Sequence, residues 1–269
     1  MLSLSVVASL VLVPFVAAQA TSIDIKAIEA HFTQSAIVPD LLASFNPSAL
    51  LSLNFAGVGD VSPGQLLTVQ QVGPTPAVTV TPANTSVSLT GTYTLVMVDA
   101  DVVGKNLPDG QTRHWLVNGV TISGSKVTNS SATAITSYAG PFPAAGSGPH
   151  RYVVILYEQP STFKAPAAFS QPNTGVSAFD FNGYVKDSGL GPLVAANYID
   201  VEQGTSTVSV SPTSAVVTST LLPPSSGSSS SPSKPSNTNT NTNGAGNIAT
   251  HFLTMVAAVA GFMLTVEVL

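Results

Sequence analysis

A mostly β fold with antiparallel pairing is what this 269-residue chain predicts, and three observations carry that expectation. Short runs alternate apolar and polar residues, the pattern of a strand with one covered face. Glycines and prolines (21 and 20 of them) interrupt those runs at the spacing of strand-and-turn architectures. A continuous apolar run, Tyr93-Thr94-Leu95-Val96-Met97-Val98, suits a central strand covered on both faces.

Taken in order, residues 1–20 read as a secretory signal peptide. Leu2 to Val16 is apolar, and Ala18-Gln19-Ala20 closes it with a small-x-small cleavage pattern. The segment is short for a spanning helix. Residues 21–222 hold the folded domain, long enough for one sizeable core. Ile23 to His31 has helical spacing, with Asp24 near its start and Thr21 or Ser22 as cap. His31, on that helix, is expected at the surface. From Ala49 the period becomes two: Leu51, Leu53 and Phe55 alternate with Ser52 and Asn54, and Gly57 to Gly64 turns the chain. Leu66 to Val72, Ala77 to Thr81 and Val87 to Leu89 read as further short strands.

The central run ends in Asp99-Ala100-Asp101. On an extended segment these carboxylates face one side, where they repel unless a cation or a proton lies between them. The bland alternative is that one caps the following loop and the other is solvated. A Pro-Asp-Gly turn at Pro108 to Gly110 leads into Arg113-His114-Trp115-Leu116-Val117-Asn118, a strand opening on a histidine. Gly140 to Gly148 is a loop of glycines and prolines. It leads into His150 to Glu158, where His150, Tyr152, Val154 and Leu156 take one face and Arg151, Val153, Ile155 and Tyr157 the other. Beyond it Gly189 to Pro192 is a turn, and Leu193 to Tyr198 is expected as a helical turn or two leading to Ile199-Asp200-Val201-Glu202. His114 and His150 taken singly are satisfied core histidines. Their coincidence beside the aspartate pair and the Gly/Pro loop favours a site.

Residues 223–243 form a Ser/Pro/Thr/Asn-rich run that buries no apolar area, and a disordered stalk is expected there. Ile248 to Leu269 is apolar except for His251 and Glu267, and the small residues Asn243-Gly244-Ala245-Gly246 precede it, so residues 244–269 read as a signal for a glycosylphosphatidylinositol anchor attached at Asn243. A transmembrane tail is the alternative, but no Lys/Arg cluster marks a cytoplasmic side. Asn84-Thr85-Ser86 and Asn129-Ser130-Ser131 are glycosylation sequons, at Asn84 and Asn129. The chain has 8 basic and 13 acidic residues and no cysteine. That balance gives no basic patch for nucleic acid, and the missing thiols exclude disulfides, thiolate metal sites and thiol catalysis.

These residues together resemble one family. Asp99-Ala100-Asp101, His114-Trp115-Leu116-Val117-Asn118, the segment from Tyr138 through Gln159, and Gly183 to Tyr198 are similar to the motifs of the phosphatidylethanolamine-binding proteins, also called the Raf kinase inhibitor protein family. The resemblance implies a large antiparallel sheet packed on a smaller one, a few peripheral helices, and a small anion pocket for phosphate or a phospholipid head group. Its pocket positions fall on Asp99, Asp101, His114, Gly140, Pro141, Gly146, His150 and Tyr152. Ala100 and Ala144 stand where the family has proline, which would soften the pocket wall.

The expected function is a non-enzymatic cell-surface binding protein that needs no cofactor. Its ligand would be a phosphate-bearing small molecule or lipid head group. Relatives include kinase-pathway modulators and protease inhibitors, and for a secreted, anchored chain the resemblance points to a protease or to lipid handling. Two other classes stand beside it: a metal-dependent hydrolase built on the Asp/His cluster, and a structural surface glycoprotein.

Overall fold

The computed structural model describes residues 20, 22–130, 132–209, 216, 217, 220 and 221. The signal-peptide expectation apart from its last residue, Ala20, and the stalk and anchor expectations, Asn243 among them, lie outside these residues. The described residues belong to one compact unit, residues 1–225.

Helix α1 (Ser22–Gln34) runs one turn further than its spacing suggested and buries Ile28 and Phe32. A short turn of helix, α2 (Ile37–Asp40), follows; Val38 within it is extended, at φ −102° and ψ 115°. The strands are β1 (Ala49–Phe55), β2 (Gly59–Asp60), β3 (Gln65–Leu67), β4 (Ala77–Pro82), β5 (Tyr93–Asp99), β6 (Gln111–Ser123), β7 (Lys126–Thr128), β8 (Thr133–Thr136), β9 (His150–Glu158), β10 (Ser177–Phe179) and β11 (Leu193–Val201). Helix α3 (Phe181–Asp187) precedes the last of these, and the Asp180 carboxylate caps it by accepting from the Gly183 N–H.

The strand order is β2-β1-β4-β7-β6-β5-β9-β11-β3, with β8 and β10 paired onto β6. All pairs are antiparallel except β3 with β11. The long β6 makes the architecture possible. Its first part pairs with β5 and its last three residues with β7, and the register slips by one residue at Gly119, which adopts φ 87°. Such a bulge bends the strand, so the sheet curls over and its two parts face one another. The β2-β1-β4-β7 part thereby covers the β6-β5-β9-β11 part.

Period-two alternation then assigns every core side chain to one of two clusters. Leu51, Leu53, Phe55, Val78 and Val80 meet Leu95, Met97, Trp115, Tyr152, Val154 and Leu156 between the two parts. On the other face Val96, Val98, Val153, Ile155 and Tyr157 meet Phe32, Phe45, Phe181 and Tyr184 under the helices. Each such side chain contributes roughly 1.5–3 kcal/mol by leaving water. All seven residues of β5 are buried, as its uninterrupted apolar run requires.

Three expectations are corrected. Leu193 to Tyr198 is not helical: it is the start of β11, paired to β9 along its length. The Ala-Ala pair carries helical propensity, but a vacant edge on β9 offers more hydrogen bonds than a lone helical turn. The run from Leu66 to Val72 is a strand only to Leu67, because the Gln71 side chain accepts from both the N–H and the hydroxyl of Thr68 and closes a turn. Val87 to Leu89 forms no strand; Asn84 folds the chain there, its side chain accepting from Ser86 and its carbonyl from Val87.

Candidate functional site

Strand β5 ends at Asp99 beside the start of β9, where Asp99 pairs with Tyr152. The antiparallel register brings the Asp pair, His150 and Tyr152 to one end of the sheet, and β6 adds His114 from the other side of β5. All of them except Asp101 are buried.

His150 is the hub. Its Nδ1 lies 2.9 Å from Asp99 Oδ2 and 3.2 Å from Asp99 Oδ1. Its Nε2 lies 2.9 Å from Ser147 Oγ and 3.7 Å from Asp101 Oδ1. The Ser147 hydroxyl donates to the Ala144 carbonyl at 2.7 Å, so its oxygen is left to accept from the imidazole. With both ring nitrogens facing acceptors, the doubly protonated ring is the species that satisfies all of them. Burial opposes that charge, but the hydrogen bond and charge of Asp99, with Asp101 behind it, outweigh burial and raise the His150 pKa above its ordinary value. The ring lies between the two carboxylates, which favour its charged form. Capping is shared by both carboxylates, where the alternative left one of them solvated: Asp99 Oδ1 accepts from the Asp101 N–H and Asp101 Oδ1 from the Val102 N–H, each at 2.7 Å.

The simple strand argument for the pair does not survive. Asp101 has left the strand and takes φ 58°, a left-handed conformation that aspartate tolerates. What holds it is Arg151, which sequence reasoning left on the far face of β9 without a role. Its Nε donates to the Asp101 carbonyl, its Nη2 to the carbonyls of Ala100 and Val102, and its Nη1 to Ser35 O and Asp40 Oδ2, all between 2.8 and 3.1 Å. Ala100 returns a bond to Arg151 O at 2.9 Å, using a backbone N–H that proline lacks. The wall at Ala100 is thus tied rather than slackened. The basic residue between His150 and Tyr152 was the available signal.

His114 behaves oppositely. Burial, the largest influence, lowers its pKa, and its Nδ1 lies 3.0 Å from the Ala139 carbonyl. A neutral ring that donates there leaves Nε2 as an acceptor. Tyr152 stands between the imidazoles, edge-on to His114 at 5.2 Å and stacked with His150 at 6.3 Å. Its hydroxyl is buried and makes no well-formed hydrogen bond among the described residues, although Asp99 and the Phe142 backbone are near. Burial and the Asp99 charge push its pKa far up, so the phenol stays protonated.

The loop is braced on both sides. A side chain at Gly140 would strike Val72 O and Gly73, and the Tyr138 hydroxyl donates to the same Val72 carbonyl at 2.6 Å. Pro141 is buried while Phe142 is 70% exposed. The Gly146 N–H donates to Gln203 O at 2.8 Å, and its carbonyl accepts from the N–H and hydroxyl of Thr207. Gly146 therefore shapes the loop through φ 78°, while its amide is already engaged. Sequence reasoning overlooked Ser147 and Phe142 as well as Arg151.

Elsewhere, Asn84 and Asn129 are both exposed. His31 is half-buried, not a free surface residue, and lines a cavity of about 240 Å³ with Ile28 and Val61. A second cavity, of about 300 Å³, lies between the two parts of the sheet. Neither is lined by Asp99, His114 or His150. Among the described residues no group of three or more His, Cys, Asp or Glu is arranged to hold a metal ion, and no helix is long and apolar enough to cross a membrane.

Comparison with known proteins gives a family model, phosphatidylethanolamine-binding protein, matching residues 45–201. A 26 kDa secreted antigen of Toxocara canis is 33% identical over 156 residues, 55% of this chain and 56% of that protein's length. The CEN-like protein 1 of Nicotiana tabacum is 30% identical over 170 residues, covering 63% of this chain and 90% of the relative. Among solved structures, carboxypeptidase Y inhibitor complexed with its cognate proteinase superposes with a TM-score of 0.57 at 23% identity, over 66% of this chain and 96% of that one.

Proposed function

The chain belongs to the phosphatidylethanolamine-binding protein family, and from that premise we propose that it is a secreted, surface-anchored binding protein without catalytic activity. Its ligand is a phosphate-bearing small molecule, in the first place a phospholipid head group. The observation that carries this reading is the His150 ring held between Asp99 and Asp101 beside a buried Tyr152 hydroxyl that makes no well-formed hydrogen bond among the described residues.

The donors and acceptors favour a head group with both charges over bare phosphate. Two carboxylates and the unprotonated Nε2 of His114 accept, so they suit an ammonium; the Tyr152 hydroxyl and the charged His150 suit a phosphate oxygen. A lone phosphate would meet the carboxylates as well and be repelled. Calorimetry with phosphoethanolamine and with inorganic phosphate tests this. Phosphoethanolamine is expected to bind more tightly, and His150→Ala to abolish both heats. Unchanged affinity in that variant sinks the site. Stoichiometric zinc in the purified protein favours a metallohydrolase instead.

A protein partner is the second part of the proposal. Carboxypeptidase Y inhibitor is a structural neighbour crystallised with its proteinase. Phe142, 70% exposed between buried prolines at the rim of the site, has the character of an interface anchor. A protease is therefore the partner class to test, by inhibition assays with wild type and Phe142→Ser.

A further inference from the structure

We propose that the cavity in the fold's crease is a second binding site, for a single alkyl chain ending in a carboxylate. The cavity lies where β6 passes from one part of the sheet to the other, with lining residues on both sides of the bulge at Gly119, and about 300 Å³ is unfilled there. Val78 and Val127 line it from β4 and β7, and Leu95, Trp115, Val117 and Val120 from β5 and β6. That size is at the lower end of ligand pockets.

The chemistry of the walls selects the ligand. None of the buried side-chain atoms that lack a hydrogen bond borders this cavity. Its aliphatic side chains and the Trp115 ring offer hydrocarbon a surface to pack on. The polar side chains are at the lip: Thr75, Lys126 and Asn129, all exposed, with Thr128 half-buried. Lys126 makes none of the ion pairs found among the described residues. An ammonium at the mouth of a cleft walled by aliphatic side chains matches an anion on the end of an apolar chain. The site is remote in composition from the histidine cluster, with which it shares no residue.

The chain's one tryptophan is Trp115, which lines this cavity and also packs edge-on against Tyr138, so its emission responds to occupancy of the cavity. Full-length protein is titrated with decanoate, decanol and decyltrimethylammonium, chains of equal length with negative, neutral and positive ends. Decanoate is expected to shift Trp115 emission saturably and to bind at least tenfold more tightly than the cationic chain. In Lys126→Glu, an exposed change that leaves the core intact, that preference reverses. Emission unaffected by all three chains overturns the proposal, and so does a decanoate preference that Lys126→Glu leaves in place.

Discussion

Asp99 favours the charged form of His150, and the consequence is a pH dependence with a definite sign. A folded-state pKa raised above 6.5 means the pair contributes fully below that pH and loses its contribution as pH rises through the folded value. Asp99→Asn is therefore expected to lower the His150 pKa, read by NMR titration. It should also destabilise the protein by about 1.5–3 kcal/mol at pH 5.5, the range for a hydrogen bond to a charged group, and by less at pH 9. An equal deficit at both pH values would mean that the ring is neutral throughout. Tyr152→Phe separates binding from folding: it removes a hydroxyl that no well-formed hydrogen bond engages. Stability should hardly change while phosphoethanolamine affinity falls.

Between elements, the decisive contacts join segments remote in sequence. Arg151 on β9 reaches Ser35 and Asp40 at the helical start of the domain and three carbonyls in the loop after β5. Lysine keeps the charge but cannot present five donors in a fork. Arg151→Lys is expected to cost about 2–4 kcal/mol in urea unfolding, and to weaken head-group binding by releasing Asp101. The turn before β6 gives a second test. Gly110 adopts φ 84°, and a Cβ there would collide with the Phe179 carbonyl of β10. Gly110→Ala should destabilise by about 2 kcal/mol or more, through left-handed strain and displacement of β10 from β6. Thermal unfolding indistinguishable from wild type would show that the turn relaxes freely.

For the molecule as a whole, burial has a cost at Asp200 on β11. Desolvation raises its carboxyl to about 7, against a partial opposing pull from Arg151, and one of its oxygens has no hydrogen bond. A raised carboxyl favours the folded state while protonated, and that advantage disappears as pH climbs from 3.8 through about 7. The bound on the loss is about 4 kcal/mol. Asp200→Asn should flatten the stability profile between pH 4 and 8, measured by thermal unfolding across that range. A slope identical to wild type would place the titration elsewhere. Alternation and the Gly/Pro punctuation were enough to reveal the β body, the buried β5 and the two faces of β9. Those features depend on neighbours one or two positions apart, whose side chains local geometry already directs. The strand at Leu193, the left-handed turn at Asp101, the clasp of Arg151 and the open crease beside Trp115 were not legible. Each exists only once distant segments meet, and the hydrogen bonds and unfilled space that define it are made by closure of the sheet.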